Sequence, residues 1–392
     1  MPRLPVRAAW LLSLALFGAV GCSTVSNTID TLNPFAKSAP KVKPKELTAI
    51  KPSAELKSLW QASVGAAGEY VLTPAVVGGS VYAAARDGTL ARYEAGRQVW
   101  RINVGQTVSG GVGANEKLVV VGTVKGEVLA FNAADGAAAW QARATSEVLA
   151  APALQGDLVV VRSVDARIFG LDAADGKRRW TYQRSTPALA LRSNVGVVLG
   201  DRALYAGFPG GKLAAVALNN GALLWEATVA IPRGTTELER IADVASNPVL
   251  DGRLVCAVAY QGRVACFDAQ NGNQQWARDV SSITGLDIGG RALYVSDDKG
   301  SLHAFERGNG ASLWKQDALG QRGLSRPLAV GRRVVVGDYV GIVHLLNEED
   351  GAFAARFTTD GSATAAAPQR LPGNSSFVVQ TRNGVVQALT VD

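Results

Sequence analysis

The sequence predicts an all-β protein, an eight-bladed β-propeller built from four-stranded antiparallel blades. Tryptophan recurs with a period near 40 residues, and a glycine precedes almost every one of these tryptophans by four residues. Short apolar runs bounded by turn residues fill the intervals. A period near 40 with four short strands is typical of a propeller blade. Turn residues every 8–12 positions, without helical periodicity, favour strands over helices.

The recurring tryptophans set the repeat. They are Trp60, Trp100, Trp140, Trp180, Trp225, Trp276 and Trp314. The first four are 40 residues apart, and the later intervals are 45, 51 and 38 residues. Ala355 stands where the next tryptophan is expected. Because one residue type recurs in one register, we expect these side chains to pack structurally rather than to form separate sites.

One repeat shows how the strands are predicted. Apolar runs at 118–121 and 128–131 are separated by a turn at Lys125-Gly126, and a second turn at Asp135-Gly136 leads into the tryptophan strand. A further apolar run precedes each such unit. Glycine suits these turns because a tight hairpin places one residue at positive φ.

The last repeat and the first strand are predicted to complete each other. Eight copies can be counted, but the eighth stops after 385–390 without its tryptophan strand, whereas Trp60 has no repeat before it. We therefore expect the Trp60 strand to close the ring beside 385–390, which leaves no bare sheet edge at the seam. The propeller is assigned to residues 53–392.

The N-terminus is predicted to direct the chain to a membrane. Residues 1–21 combine a positive start with an apolar stretch too short to span a bilayer comfortably, as in a secretory leader. The end of the leader, Ala19-Val20-Gly21-Cys22, resembles the lipobox of bacterial lipoproteins, in which the cysteine is diacylated. Ser23 rather than Asp points, by the same resemblance, to the outer membrane. The alternative is an ordinary cleaved leader with an incidental cysteine. Residues 22–52 are interpreted as the lipid anchor and a flexible tether.

The distribution of charged residues argues against a nucleic-acid partner. The formal net charge is +7, but Lys and Arg are scattered, often in turns. A nucleic-acid-binding protein would cluster them on one face, so no nucleic-acid partner is expected. With 47% apolar residues the chain has ample material for a core.

The cysteines and histidines are the residues from which a disulfide or a metal site could form. Cys256 and Cys266 flank the turn at Gln261-Gly262, and their even separation puts both on one sheet face. A three-residue loop would place them directly opposite each other and a two-residue loop would offset them by one. Either a cross-strand disulfide or two buried thiols are compatible with this spacing. His303 and His344 are the only histidines and lack the companions of a metal site, so no metal or cofactor is expected.

The unit Leu171–Trp180 resembles the tryptophan-docking repeat of pyrroloquinoline quinone (PQQ) dehydrogenases, which also occurs in the BamB family of lipoproteins of the β-barrel assembly machinery. The lipobox, the short tether and the immediate start of the propeller match the BamB family. Residues 189–192 and 236–244 look like the two loops through which that family contacts the periplasmic POTRA domains of BamA. Carried over by position, the partner-binding candidates are Leu189, Leu191, Arg192 and Asp243. Ala245 departs from an acidic residue that some members carry there.

The same two loops stand out without the resemblance. The longest tryptophan intervals are 180–225 and 225–276, and their extra residues fall between a tryptophan strand and the next blade. All such connections emerge on one face of a propeller, and these two are neighbours. Function concentrates in loops on rigid scaffolds; the alternative is a tolerated surface insertion.

The resemblance implies a non-enzymatic scaffold at the periplasmic face of the outer membrane. Such a protein would dock on BamA within the Bam complex and assist folding and insertion of outer membrane β-barrel proteins. Unfolded outer membrane proteins are a further partner class, with the lipid anchor on the membrane. A quinoprotein dehydrogenase is the first alternative, but it would need adjacent cysteines and calcium-binding carboxylates, and no adjacent cysteines are present. The second alternative is a propeller that binds peptides or cell-wall material in its central funnel.

Overall fold

The computed structural model describes residues 43–392, and all of their regular structure is β. The predicted leader and Cys22 lie outside these residues. The strand β1 (Leu56–Ser63) is followed by seven complete sheets and a partial eighth. Blades 1 and 2 contain β2 (Ala75–Val77), β3 (Ser80–Ala84), β4 (Thr89–Glu94), β5 (Arg97–Asn103), β6 (Val108–Ala114), β7 (Leu118–Thr123), β8 (Glu127–Asn132) and β9 (Ala138–Arg143). Blades 3 and 4 contain β10 (Ala153–Gln155), β11 (Leu158–Arg162), β12 (Arg167–Asp172), β13 (Arg178–Gln183), β14 (Val197–Leu199), β15 (Ala203–Phe208), β16 (Lys212–Ala217) and β17 (Leu223–Thr228).

The second half of the ring repeats this order. Blades 5 and 6 contain β18 (Val249–Asp251), β19 (Leu254–Val258), β20 (Arg263–Asp268), β21 (Gln274–Asp279), β22 (Gly285–Gly289), β23 (Ala292–Ser296), β24 (Leu302–Glu306) and β25 (Ser312–Gln316). Blades 7 and 8 contain β26 (Leu328–Val330), β27 (Arg333–Gly337), β28 (Ile342–Asn347), β29 (Phe353–Thr358), β30 (Gln369–Arg370), β31 (Ser376–Gln380) and β32 (Val385–Val391). All eight sheets have four antiparallel strands, in sequential order in blades 1 to 7, which confirms the predicted eight-bladed propeller. Within the described part of the chain, no helix could cross a bilayer.

Ring closure by the first strand is confirmed. The eighth sheet has the order β1-β32-β31-β30, so its outermost strand comes from the start of the chain. β1 runs antiparallel to β32, with Leu56 opposite Val391 and Trp60 opposite Ala388. The two ends of the propeller are thus held together by a strand pair, which covers an edge that would otherwise be open.

The core lies between neighbouring blades. The middle strands are buried on both faces, because each is covered by a blade on either side; all six residues of β7 are buried. This double cover explains why the sequence shows continuous apolar runs rather than a two-residue alternation.

Each tryptophan docks onto the next blade. The indole Nε1 of Trp180 donates to the carbonyl of Leu218 at 2.8 Å. Its ring covers Gly221, where a Cβ would lie 2.7 Å from the ring. Gly221 also has a φ of +72°, so the position requires glycine for two reasons. The same pairing joins Trp60 to Gly96, Trp100 to Gly136, Trp140 to Gly176, Trp225 to Gly272, Trp276 to Gly310 and Trp314 to Gly351.

The blade 7 to blade 8 junction is filled differently. Ala355 replaces the tryptophan, and blade 8 has no hairpin between its third and fourth strands because these are β32 and β1, which are not consecutive in the chain. Leu56 and Phe357 pack in the apolar cluster at this junction. No indole is needed where no hairpin glycine can receive it.

Residues 45–54 lie against blade 7 and are called the N-terminal strap here. The backbone N–H groups of Lys45 and Ser53 donate to the carbonyls of Gly320 and Ala354, both at 2.9 Å. Arg356 Nη1 donates to the carbonyl of Thr48 at 2.6 Å. Most of the strap falls in the stretch predicted as tether. Its fixed position rests on backbone hydrogen bonds to blade 7, which leave no periodic pattern in the sequence.

Candidate partner-binding surface

Two long connections on one face flank blade 4. Because the strands of a blade alternate in direction, the connections between blades emerge on the same face as the hairpins joining second and third strands. We call this the loop face. The Leu189 loop (residues 184–196) joins β13 to β14 over 13 residues, and the Asp243 loop (residues 229–248) joins β17 to β18 over 20. The other connections between blades span at most 11 residues.

The carboxylate of Asp243 connects the two loops. Oδ2 accepts the backbone N–H of Leu191 at 2.7 Å, and Oδ1 accepts that of Gly210 at 2.9 Å. The side chain is buried. The resemblance makes Asp243 a partner-binding candidate. In this structure it holds the Leu189 loop and the strand 2–3 hairpin of blade 4 in place.

Arg192 ties the Leu189 loop to the connection before it. Its Nη2 donates to Oε1 and Oε2 of Glu147 at 2.7 and 2.8 Å, and Glu147 lies between β9 and β10. Three successive connections are therefore linked through side chains. The Arg192 side chain remains well exposed, whereas Glu147 is mostly covered.

A local turn presents the tip of the Asp243 loop. Glu239 accepts the backbone N–H groups of Thr235 and Thr236 at 2.9 and 3.1 Å, and Thr236 Oγ1 accepts the N–H of Glu239 at 3.2 Å. The backbone hydrogen bonds from Thr236 and Thr235, with those from the two hydroxyls, lower the pKa of Glu239 to about 2. The carboxylate therefore stays ionised at neutral pH and keeps this turn closed.

Exposed apolar side chains gather on the loop face. Leu189 is 45% exposed and Leu191 is partly buried. Ile231 and Leu238 on the Asp243 loop are 62% and 68% exposed. Six of the ten large hydrophobic side chains exposed among residues 43–392 lie on this face: Val164, Leu189, Ile231, Leu238, Ile283 and Tyr339. Of these six only Leu189 was predicted from the sequence, although an apolar residue in a connection between blades is a signal that the sequence contains.

The cysteines and histidines lie elsewhere and have local partners. Cys256 and Cys266 are directly opposite on β19 and β20, with Cα atoms 4.1 Å apart, and are joined as a disulfide. His303 and His344 each contact an aspartate six residues earlier, Asp297 at 2.8 Å and Asp338 at 3.2 Å. Burial lowers the pKa of His344. Within residues 43–392 no three potential metal-ligating side chains are grouped.

The central channel is lined mainly by small uncharged side chains of the inner strands and connections. Its volume is about 600 Å³. Among its described lining residues the only charge is that of Arg326, whose Nε donates to the carbonyl of Leu286 at 2.8 Å. No carboxylate from the described part of the chain lines the channel.

The chain is similar to known proteins in both sequence and fold. The chain matches the family model for outer membrane protein assembly factor BamB over residues 86–316 and 299–392. Outer membrane protein assembly factor BamB of Bordetella pertussis is 40% identical over 382 residues, covering 96% of each chain. The crystal structure of BamB from Moraxella catarrhalis has a TM-score of 0.80 at 28% identity and covers 86% of this chain and 100% of that one.

A quinohemoprotein alcohol dehydrogenase from Pseudomonas putida HK5 also has this architecture. Its TM-score is 0.69 at 14% identity, covering 86% of this chain and 76% of that one. At this identity the likeness shows the fold alone.

Proposed function

The chain belongs to the BamB family of outer membrane protein assembly factors, and on that basis we propose that it is a non-enzymatic scaffold of the β-barrel assembly machinery. In this proposal the loop face docks on the periplasmic POTRA domains of BamA. The scaffold thereby assists folding and insertion of outer membrane β-barrel proteins.

The observation that carries the proposal is the arrangement of the two loops beside blade 4. They are the longest connections between blades, they are linked through Asp243, and they expose Leu189, Ile231 and Leu238 as well as the charged side chain of Arg192. Apolar anchors surrounded by polar groups are typical of protein–protein interfaces. A connection that only bridged two blades would need neither the length nor these side chains.

Attachment to the outer membrane is part of the proposal. Cys22 would carry the lipid, and the chain between Cys22 and the N-terminal strap would connect the lipid to the propeller. The strap supports this arrangement, because Lys45 is held at the connection between blades 6 and 7, on the loop face. The chain is therefore fixed to the propeller at a defined point near the start of the described residues.

The channel lining argues for binding rather than quinoprotein chemistry. A calcium-dependent quinone site at the ring centre would draw its ligands from carboxylate and amide oxygens. The described lining offers the amide side chains of Asn194, Asn247 and Gln369 but no carboxylate, and the cation of Arg326 would repel a bound metal ion. We therefore propose no catalytic role for the channel.

Co-purification tests the docking. Full-length protein would be isolated from detergent-solubilised membranes as wild type and with Leu189→Ala, Leu191→Ala and Arg192→Glu combined. Loss of a central anchor typically costs about 2 kcal/mol or more, so the affinity for BamA should fall roughly thirtyfold and less BamA should be captured. The matched control combines Leu223→Ala, Leu224→Ala and Arg202→Glu, which are exposed on the same blade at its opposite end. Equal capture by both triple variants would place the docking surface elsewhere.

A further inference from the structure

Arg162 is a buried cation with no countercharge among residues 43–392. It ends β11 in blade 3 and is only 7% exposed. Its Nη1 donates to the carbonyl of Gly207 at 2.6 Å, and the guanidinium lies 4.7 Å from the centroid of the Phe208 ring. Among residues 43–392 it forms no ion pair and only this one hydrogen bond, and its Nε and Nη2 remain open to solvent. Burying an unpaired charge is unfavourable, so a cation in such a position normally has an anionic partner.

Arg162 keeps its charge despite this burial. Burial lowers the pKa of Arg162 to about 10, which still leaves the guanidinium protonated at neutral pH. The side chain therefore offers unused, charged N–H donors.

The other repeats show that the propeller does not require a charge at this position. In every blade except blade 3, a glycine lies in the hairpin between the second and third strands; blade 3 has Ala166 there, and Arg162 lies four residues before it. The residue four positions before the hairpin glycine is uncharged in the other seven blades: Ala84, Gly122, Gly207, Val258, Ser296, Gly337 and Gln380. Gln380 shows what the fold needs, because its Nε2 donates to the carbonyl of Ala84 at 2.9 Å. That bond to the next blade is the counterpart of the bond from Arg162 to Gly207. An amide suffices for it, so this bond does not require the charge of the Arg162 guanidinium.

Arg162 lines a cleft beneath the Leu189 loop. The cleft has a volume of about 80 Å³ and lies between the β11–β12 hairpin and residues 186–195, on the loop face. Asp243 also lines it, but both its oxygens already accept backbone N–H groups. Since a water molecule occupies about 30 Å³ in the liquid, the space suits the tip of one side chain rather than a larger ligand.

We infer that Arg162 is a buried anchor of the docking surface and that it binds the carboxylate of an aspartate or glutamate side chain of the docking partner. The inference rests on the proposed function, because it deepens the same surface. Guanidinium groups bind carboxylates through paired hydrogen bonds. The apolar side chains around the cleft mouth, Val164 and Leu191 among them, would exclude water from that contact.

Two substitutions at Arg162 separate charge from structure. Arg162→Gln retains the donor to Gly207, as Gln380 does in blade 8, but removes the charge. Arg162→Lys retains the charge but loses the paired geometry. The control is Arg326→Gln, which removes a partly buried guanidinium that also donates to a backbone carbonyl and lies 3.9 Å from Asp287.

The affinity of each purified full-length variant for BamA would be measured in detergent at fixed salt, alongside its thermal unfolding. We expect Arg162→Gln to melt like the wild type and to bind at least about tenfold more weakly, Arg162→Lys to be intermediate, and Arg326→Gln to bind normally. Wild-type affinity in folded Arg162→Gln would overturn the inference and leave the proposed function intact. If Arg162→Gln fails to fold, Arg162→Lys decides, since unchanged affinity there also overturns it. If the wild type does not bind BamA, both the inference and the proposed function fail.

Discussion

The carboxylate of Asp243 accepts the backbone N–H of Leu191 at 2.7 Å, across 52 positions of sequence. This contact makes the two long loops beside blade 4 a single surface rather than two separate insertions. Its second oxygen holds Gly210, so one buried side chain fixes three segments of the loop face.

We predict that Asp243→Ala weakens partner binding without Asp243 itself contacting the partner. The change leaves the buried N–H groups of Leu191 and Gly210 without an acceptor, which should lower the free energy of unfolding by about 2 kcal/mol. Hydrogen exchange should quicken at Leu191 and its neighbours. If binding is lost while exchange at the Leu189 loop is unchanged, Asp243 acts on the partner directly instead.

The pairing of Gly96 with Trp60 allows a controlled test of the ring seam. Gly96 and Gly105 have φ values of +79° and +75°, but a Cβ on Gly96 would lie 2.6 Å from the Cβ of Trp60, whereas a Cβ on Gly105 would meet nothing within 4 Å. Alanine at Gly105 should therefore cost only the backbone penalty of about 1 kcal/mol. Alanine at Gly96 should cost roughly 1–3 kcal/mol more, because it displaces the indole. Denaturant unfolding measures both, and equal losses would show that Trp60 docking contributes nothing.

The pair Cys256 and Cys266 is predicted to be oxidised in protein isolated from the periplasm. A disulfide that closes a loop of about this length stabilises a protein by roughly 2–3 kcal/mol. Thiol alkylation under denaturing conditions, with and without prior reduction, followed by mass spectrometry, counts the protected cysteines. Alkylation of both residues without reduction would show two buried thiols, the alternative that the spacing left open.

Acylation of Cys22 is predicted from the leader that ends in Ala19-Val20-Gly21. The mature chain should begin at Cys22 and carry a diacylglycerol on its sulfur. Mass spectrometry of the N-terminal peptide identifies this modification, and Cys22→Ser should release the protein from the membrane fraction. An unmodified terminus at another residue would support an ordinary cleaved leader.

The repeat could be read from the sequence because it depends on local rules. Turn glycines, apolar runs and one tryptophan per blade recur within about 40 residues, and each reflects a hairpin or a buried strand that forms in the same way in every copy. The unpaired Trp60 strand and the incomplete eighth copy then required closure, since an open ring would leave an edge exposed. The resemblance of the Leu189 and Asp243 loops to those of a known family could also be recognised from the sequence.

Contacts between blades were decided by the tertiary structure alone. The sequence revealed the glycine before six of the seven repeat tryptophans, but not that Gly221 receives the indole of Trp180 from the preceding blade. Asp243 as a link between loops, Glu147 as the partner of Arg192 and the seat of the N-terminal strap on blade 7 likewise leave no periodic trace. The unpaired charge of Arg162 also emerged only when its surroundings were known. The physical reason is that hairpins form between neighbours in sequence, whereas these contacts join residues tens to hundreds of positions apart, which meet only after the ring has closed.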